Sequence, residues 1–262
     1  MEFVVCIKQV PSSDKIDINP ETGSLVREST GAKTNPYDLS AIEACLQVRE
    51  KVGGKIHAIS MGPKQAKTAL REALALSVDE VFLISDSCFA GSDVLTTSYT
   101  LAQAIKTIAK PDIIFCGKQS TDGDTCQVSP ELAELLGISH ALYVVEINDI
   151  NDEYIVVTCD MGSYRETVKM NFPCLISVEK DSFIPRFSSL RNKIEAQKKP
   201  INTIELKDLE DKDKNNYGYC GSPTKVSKIY VPEIKRETTI LDGETDEVVD
   251  KLFLKLDEWE VL

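Results

Sequence analysis

A chain of 262 residues, 42% of them hydrophobic, is long enough to bury one large core, or one core with an extended arm. Its formal net charge of -12 disfavours a nucleic-acid backbone or an anionic membrane surface as partner. No apolar run is long enough to cross a bilayer and the first residues lack a secretory pattern, so a cytoplasmic protein with no membrane insertion is expected.

The first half alternates strand and helix patterns. Phe3–Ile7 is a β-rich apolar run, and Leu39, Ile42, Cys45, Leu46 and Val48 trace a broad helical face between Pro36 and Gly53. Ile56–Ser60 is the next strand. Gly62-Pro63 turns the chain, and Ala66, Leu70, Ala73 and Leu74 mark a second helix. Val81–Ile84 follows as a strand. Ser92 or Asp93 is placed to cap a helix carrying Leu101, Ile105 and Ile108, which Pro111 ends before the strand Ile113–Phe115. This order predicts a doubly wound, mostly parallel sheet with helices on both faces. Ligands in such sheets sit beyond the carboxyl ends of the strands, so the expected rim is Lys8–Pro11, Met61–Pro63, Ser85–Asp93 and Gly117–Gln127.

The densest chemistry lies in that last segment. Cys116–Pro130 reads CGKQSTDGDTCQVSP and runs from an apolar strand into the helical pattern Glu131–Leu136. A strand passing through a polar, glycine-bearing turn into a helix brings backbone N–H groups together on a phosphate. The run has neither a Walker A ending nor a three-glycine dinucleotide fingerprint. A branched side chain at Gly123 is expected to obstruct the turn.

Beyond Leu142 the pattern becomes extended: Leu142–Ile147, Tyr154–Cys159 and Tyr164–Met170, with Leu175–Val178 returning to the sheet. This reads as an antiparallel addition to the same domain. The eight cysteines include no Cys-x-x-Cys pair and are accompanied by two histidines, so no metal site is expected; runs such as VVCIK and IIFCG use cysteine as a small core residue. His57, in KIHAISM, reads as packed. From Pro185 onward, PRFSSL, the Lys198-Lys199 patch and the charged run Asp208–Asn216 suggest a partner-embracing arm. Its anchors would be Ile229, Val231, Ile234, Ile240, Leu241, Leu252, Phe253, Leu254 and Trp259, each worth about 1.5–3 kcal/mol when buried. The division expected is a nucleotide/flavin-binding α/β core at 1–184 and an arm at 185–262.

Taken in order, VVCIKQVP (Val4–Pro11), TNPYDLSAIEACLQVRE (Thr34–Glu50), MGPKQAKTALREALALSVDEVFLISD (Met61–Asp86), FAGSDVLTTSYTLAQAI (Phe89–Ile105), CGKQSTDGDTCQVSPELAELLG (Cys116–Gly137) and IPRFSSLRNKIEAQKKPI (Ile184–Ile201) resemble the small, or beta, subunit of electron-transfer flavoproteins. The resemblance covers essentially the whole chain. It implies a Rossmann-like fold of the adenine nucleotide alpha hydrolase-like kind, and a heterodimer with an alpha subunit carrying FAD. It further implies a nucleotide site lined by Cys6, Lys8, Val10, Asp38, Met61, Gly62, Gln119, Asp122, Gly123, Asp124, Thr125, Gln127 and Val128. The N–H groups of Gly123 to Thr125 would hold the phosphate, with Asp122 and Asp124 holding the turn.

In conventional members that site holds AMP. In electron-bifurcating members it holds FAD, which accepts a hydride from NADH. One electron then goes to the alpha-subunit FAD and one to a low-potential acceptor such as ferredoxin or flavodoxin, in the service of an acyl-CoA or other dehydrogenase. GSDVLTTS at Gly91–Ser98 favours FAD, because Asp93, Thr96 and Thr97 begin a helix on the rim where AMP would not reach. The plainer readings are that these residues only cap the helix and that AMP fills the site. An adenine-nucleotide-sensing or hydrolase-like domain is the alternative of another class. No residue is expected to act as acid, base or nucleophile.

Overall fold

The computed structural model describes residues 1–12, 31–227 and 238–261. Alternate residues of EFVVC face opposite sides of a sheet, and both sides are covered: Phe3 and Val5 enter one core, Val4 and Cys6 the other. This strand is β1 (Glu2–Cys6). A short antiparallel ribbon follows, formed by β2 (Gln9–Pro11) and β3 (Ala32–Thr34). Next come α1 (Pro36–Val52), β4 (Lys55–Met61), α2 (Lys67–Ala75), β5 (Glu80–Ile84), α3 (Val94–Ile108), β6 (Ile113–Gly117) and α4 (Val128–Leu136). The antiparallel part is β7 (Ser139–Ile150), β8 (Tyr154–Asp160) and β9 (Arg165–Asn171), after which β10 (Cys174–Val178) re-enters the sheet. α5 (Leu190–Lys198), β11 (Asn202–Ile204) and the single-turn α6 (Gly218–Gly221) follow.

One nine-stranded sheet results, in the order β11-β5-β4-β1-β6-β10-β7-β8-β9. It is parallel from β11 through β7 and antiparallel from β7 to β9. The expected doubly wound sheet with an antiparallel extension is therefore what the chain forms. Growth runs outward from β1 through β4 to β5 and then restarts on the other side of β1 with β6. That reversal opens a crevice at the carboxyl ends of β1 and β6, the usual ligand position in such sheets. α1 and α2 cover one face; α3 and α4 cover the other. His57 on β4 is buried with Nε2 2.6 Å from Glu2 Oε2, at the end of the sheet where β1 begins.

The boundary expected at 184/185 falls inside a compact unit that runs from Met1 to Ser227. β11 extends the sheet beside β5, while Leu206, Leu209 and Tyr217 are buried in the core beneath α3. Arg186 fastens the start of this stretch by donating to Glu43 (2.8 Å) and Glu50 (2.6 Å). The apolar residues that dock it stand singly between polar neighbours, so no periodic signal announces them. Residues 228–262 form a second unit. Its helix α7 (Thr245–Glu258), taken by itself, leaves Leu252, Phe253 and Leu254 exposed. The expected anchors Ile229, Val231 and Ile234 lie outside the described residues. Among the described residues no helix is long and apolar enough to cross a membrane.

Candidate functional site

At the crevice between β1 and β6 lies a cavity of about 950 Å³. Its walls are the end of β1 with Ile7 and Lys8, the Met61–Gln65 turn, the Ile84–Val94 segment and the β6–α4 connection. These are the stretches expected from the strand ends. Apolar surface comes from Met61, Phe89, Leu101 and Val128; cationic groups come from Lys8, Lys64 and Lys118.

The β6–α4 loop is held in place from across the sheet by the start of α1. Gly117 ends β6 against that helix: a Cβ there would overlap Asp38 Oδ1 and stand 2.7 Å from Tyr37 Cβ and 2.8 Å from the Tyr37 carbonyl carbon. Asn35 occupies the N-cap position of α1, yet its side chain does not cap the helix. Its Nδ2 donates instead to Asp38 Oδ1 (2.8 Å) and to the Gln119 carbonyl (2.7 Å), and its Oδ1 accepts the Thr121 N–H at 3.3 Å. Asp38 Oδ2 accepts the Lys8 N–H at 2.7 Å. Lys8 closes the ring, its Nζ donating to Asp122 (2.6 Å) and Ser120 (3.2 Å). β1, α1 and the loop thus form one hydrogen-bonded assembly.

Within the loop the Ser120 carbonyl accepts the N–H groups of both Gly123 (3.1 Å) and Asp124 (2.8 Å). Two of the donors expected to face a phosphate are already bonded. Gln119 Nε2 ties Asp124 Oδ1 at 2.8 Å, so Asp122 and Asp124 brace the turn through side-chain donors. The left-handed residues of the loop are Asp124 (φ 49°) and Cys126 (φ 57°), and not Gly123. A Cβ on Gly123 would meet only Ser120 Oγ, at 3.3 Å. The backbone then turns into α4, where Gln127 precedes the first helical residue without a side-chain cap. Among the described residues, the N–H groups of Thr125, Cys126, Gln127 and Val128 have no acceptor. A run of open N–H groups at a helix N-terminus is an anion-binding arrangement.

On the opposite wall Asp93 caps α3. Its Oδ1 accepts the Thr96 N–H (3.1 Å) and its Oδ2 the Thr224 N–H (3.0 Å) and hydroxyl (2.7 Å). These donors hold its carboxyl below the ordinary aspartate range, although partial burial works the other way. Thr96 is buried, with Oγ1 2.9 Å from Ser222 Oγ, and does not line the cavity. Of the expected polar trio on this rim, Asp93 and Thr97 line the cavity and Thr96 does not, and the Asp93 carboxylate is taken up by Thr96 and Thr224. Val10 is likewise buried on β2 and outside the cavity wall. Cys6, Lys8, Asp38, Met61, Gly62, Gln119, Gly123, Thr125, Gln127 and Val128 all reach the cavity, as does Asp93. Sequence reasoning missed Asn35 and Ser222, and placed Gly117 on the rim without its contact to α1. Asn35 before Pro36 carries an N-cap signal, but the cross-sheet use of its side chain carries none.

Burial pushes the Asp38 carboxyl up to about 7, against the Asn35, Lys8 and Gly117 donors that favour its charged form. Unfolded, the group titrates near its ordinary value of about 3.9. Between those values the folded chain holds a proton that the unfolded chain has lost. Asp38's contribution is thus fully present below about pH 4 and lost as pH rises through about 7. We expect the stability advantage of wild type over Asp38→Asn to shrink by up to about 4 kcal/mol from pH 4 to pH 8. Urea unfolding of both proteins across that range measures it; a constant difference would contradict the assignment.

The geometry can now be set beside known proteins. The electron transfer flavoprotein domain matches residues 22–209. The chain is 40% identical to the electron transfer flavoprotein subunit beta of Thermoanaerobacterium thermosaccharolyticum, over 100% of both chains. It is 39% identical to the subunit of the same name from Megasphaera elsdenii, over 98% of each. With the caffeyl-CoA reductase-Etf complex subunit CarD of Acetobacterium woodii it shares 35% identity over 100% of both chains. This chain belongs to the electron-transfer flavoprotein beta-subunit family. Family membership gives it a general role in electron transfer, with a flavin or nucleotide cofactor, within a partner complex.

Proposed function

We propose that the chain is the small subunit of a cytoplasmic electron-transfer flavoprotein heterodimer whose cavity holds an adenine nucleotide, the AMP moiety common to AMP and FAD. The observation that carries this reading is the open row of N–H groups from Thr125 to Val128 facing a cavity at the strand-order reversal. The residues fit the group. Backbone donors suit the phosphate, Met61 and Gly62 stand on the wall for the base, and Lys8 and Lys118 line the cavity already paired with Asp122 (2.6 Å) and Glu179 (2.7 Å). Asn35, Asp38 and Lys8 hold the loop in its binding shape before the ligand arrives.

A second reading, FAD in place of AMP, is favoured by the reach of the cavity. Its lining includes the β6–α4 loop together with Gly91–Val94 and Thr97 at the start of α3, around a volume of about 950 Å³. When bound, the isoalloxazine supplies hydride acceptance from NADH and one-electron transfer to the alpha-subunit FAD and to a low-potential acceptor. This chain's part is to bind, orient and shield. The Thr97 hydroxyl would meet the far part of the ligand, and Phe89 and Leu101 would keep water from it. The partners are then an alpha subunit and an acyl-CoA or other dehydrogenase, in keeping with the caffeyl-CoA reductase complex in which one relative is named.

The test is the nucleotide content of the purified heterodimer after acid denaturation. Two FAD per heterodimer supports the FAD reading; one FAD with one AMP supports the simpler carrier. Absence of any adenine nucleotide beyond the alpha-subunit FAD would sink both.

A further inference from the structure

After β11 the chain turns back over α3 and ends this excursion at the cavity rim. The Leu206 N–H donates to Asp86 (3.2 Å), and Tyr99 donates its hydroxyl to Asp211 at 2.7 Å. Tyr217 is fully buried with its ring 5.4 Å from both Phe89 and Tyr99. The next residues grip the wall segment itself. The Tyr219 N–H donates to the Ala90 carbonyl at 2.9 Å. Gly218 is left-handed (φ 54°); a Cβ there would overlap the Cys88 carbonyl oxygen and stand 2.7 Å from that of Ala90, so only glycine lies this flat against the wall. Ser222 Oγ accepts the Asp93 N–H (2.9 Å), lies 2.9 Å from Thr96 Oγ1 and donates to the Gly218 carbonyl at 2.7 Å. Thr224 fixes the other Asp93 oxygen through two donors.

None of Gly218, Ser222 and Thr224 lines the cavity, but what they hold does: Ala90, Gly91, Ser92, Asp93 and Val94 form its wall. We propose that Gly218, Ser222 and Thr224 are positioning residues for the nucleotide cavity. They form a strap from the C-terminal side of the compact unit that fixes Ala90–Thr97 in its wall-forming position and thereby slows the release of bound nucleotide. The inference rests on the reading that the cavity holds a nucleotide. The segment's own fastenings are local: Ser92 Oγ to the Phe89 carbonyl (2.8 Å), the Ala90 N–H to the Ser87 carbonyl (3.3 Å), the Thr96 N–H to Asp93 Oδ1 (3.1 Å) and the Thr97 N–H to the Asp93 carbonyl (3.0 Å); residues 219–224 add the long-range bonds.

Three variants of the chain, each purified with its alpha subunit, provide the test. Ser222→Ala removes the bridging hydroxyl, and Thr224→Val removes a donor to Asp93 while keeping the side-chain shape. Tyr99→Phe loosens the same C-terminal stretch away from the cavity. Release of the copurified nucleotide, chased with excess FAD and separately with excess AMP, is expected to quicken about fivefold in Ser222→Ala, as the loss of a hydrogen bond would give. A smaller increase is expected in Thr224→Val, and wild-type release in Tyr99→Phe despite its lowered melting temperature. Amide exchange at Asp93 should rise in Ser222→Ala alone. Wild-type release in Ser222→Ala, or equally fast release in Tyr99→Phe at matched stability, overturns the proposal. A wild-type complex without nucleotide would refute the occupant and leave amide exchange to decide the strap: unchanged exchange at Asp93 in Ser222→Ala overturns it.

Discussion

Gly117→Ala is expected to cost about 2–3 kcal/mol of stability and to strip the cavity of nucleotide, while Gly123→Ala is expected to do neither. At Gly117 the added methyl meets the buried Asp38 carboxylate and the Tyr37 backbone. Asp38 is fixed by Lys8 and Asn35, and the backbone of α1 cannot yield without disturbing the core beneath it. Relief requires β6 and α1 to separate, and that separation breaks the Asn35 bonds that shape the loop. At Gly123 the backbone is not left-handed and the methyl meets one serine hydroxyl that can rotate. Thermal melts and nucleotide content of the two variants are the measurement. Equal behaviour would show that α1 does not brace the loop.

A chain ended after Ser227 is expected to unfold cooperatively close to the full-length melting temperature, and one ended after Ile184 to be insoluble or molten. The shorter chain loses Leu206, Leu209 and Tyr217 from beneath α3, at about 1.5–3 kcal/mol for each buried side chain. Their sum is comparable with the whole stability of an ordinary domain. It also uncovers the hydrogen-bonding edge of β5 that β11 occupies. Far-ultraviolet melts and size-exclusion chromatography of the two truncations decide the matter. A cooperative transition at the full-length temperature after removal of 185–262 would restore the boundary at 184.

The reasons why some of this was legible and some was not are physical. β1, β4, β5 and β6 are buried on both faces, so they read as mostly apolar runs, broken in β4 only by His57 and Ser60, and their order against the helices gives the sheet. The loop's place on the rim is legible from its position between an apolar strand and a helix, although most of its polar side chains brace the turn and the α1 contact. What could not be read is which donors remain open. Ser120 takes the Gly123 and Asp124 N–H groups through a backbone carbonyl, and no residue type signals that bond. Asn35 reaches Gln119 across 84 positions and Ser222 reaches Asp93 across 129, distances at which periodicity says nothing. Thr96 looked available because Ser, Thr and Asp at a helix start serve equally well for capping and for a ligand, and here a second segment takes them.

The brace from α1 to the β6–α4 loop also dates the site within the life of the chain. Asn35 and Asp38 are made early, but the carbonyl and N–H they grasp belong to Gln119 and Thr121. Gly117, where the two segments touch, ends a strand that must first insert beside β1. A nascent polypeptide that has exposed only its first three strand–helix units carries half of a binding site and nothing to close it on. On the proposed function, a growing chain therefore gains a site able to hold its nucleotide only once β6 has inserted beside β1.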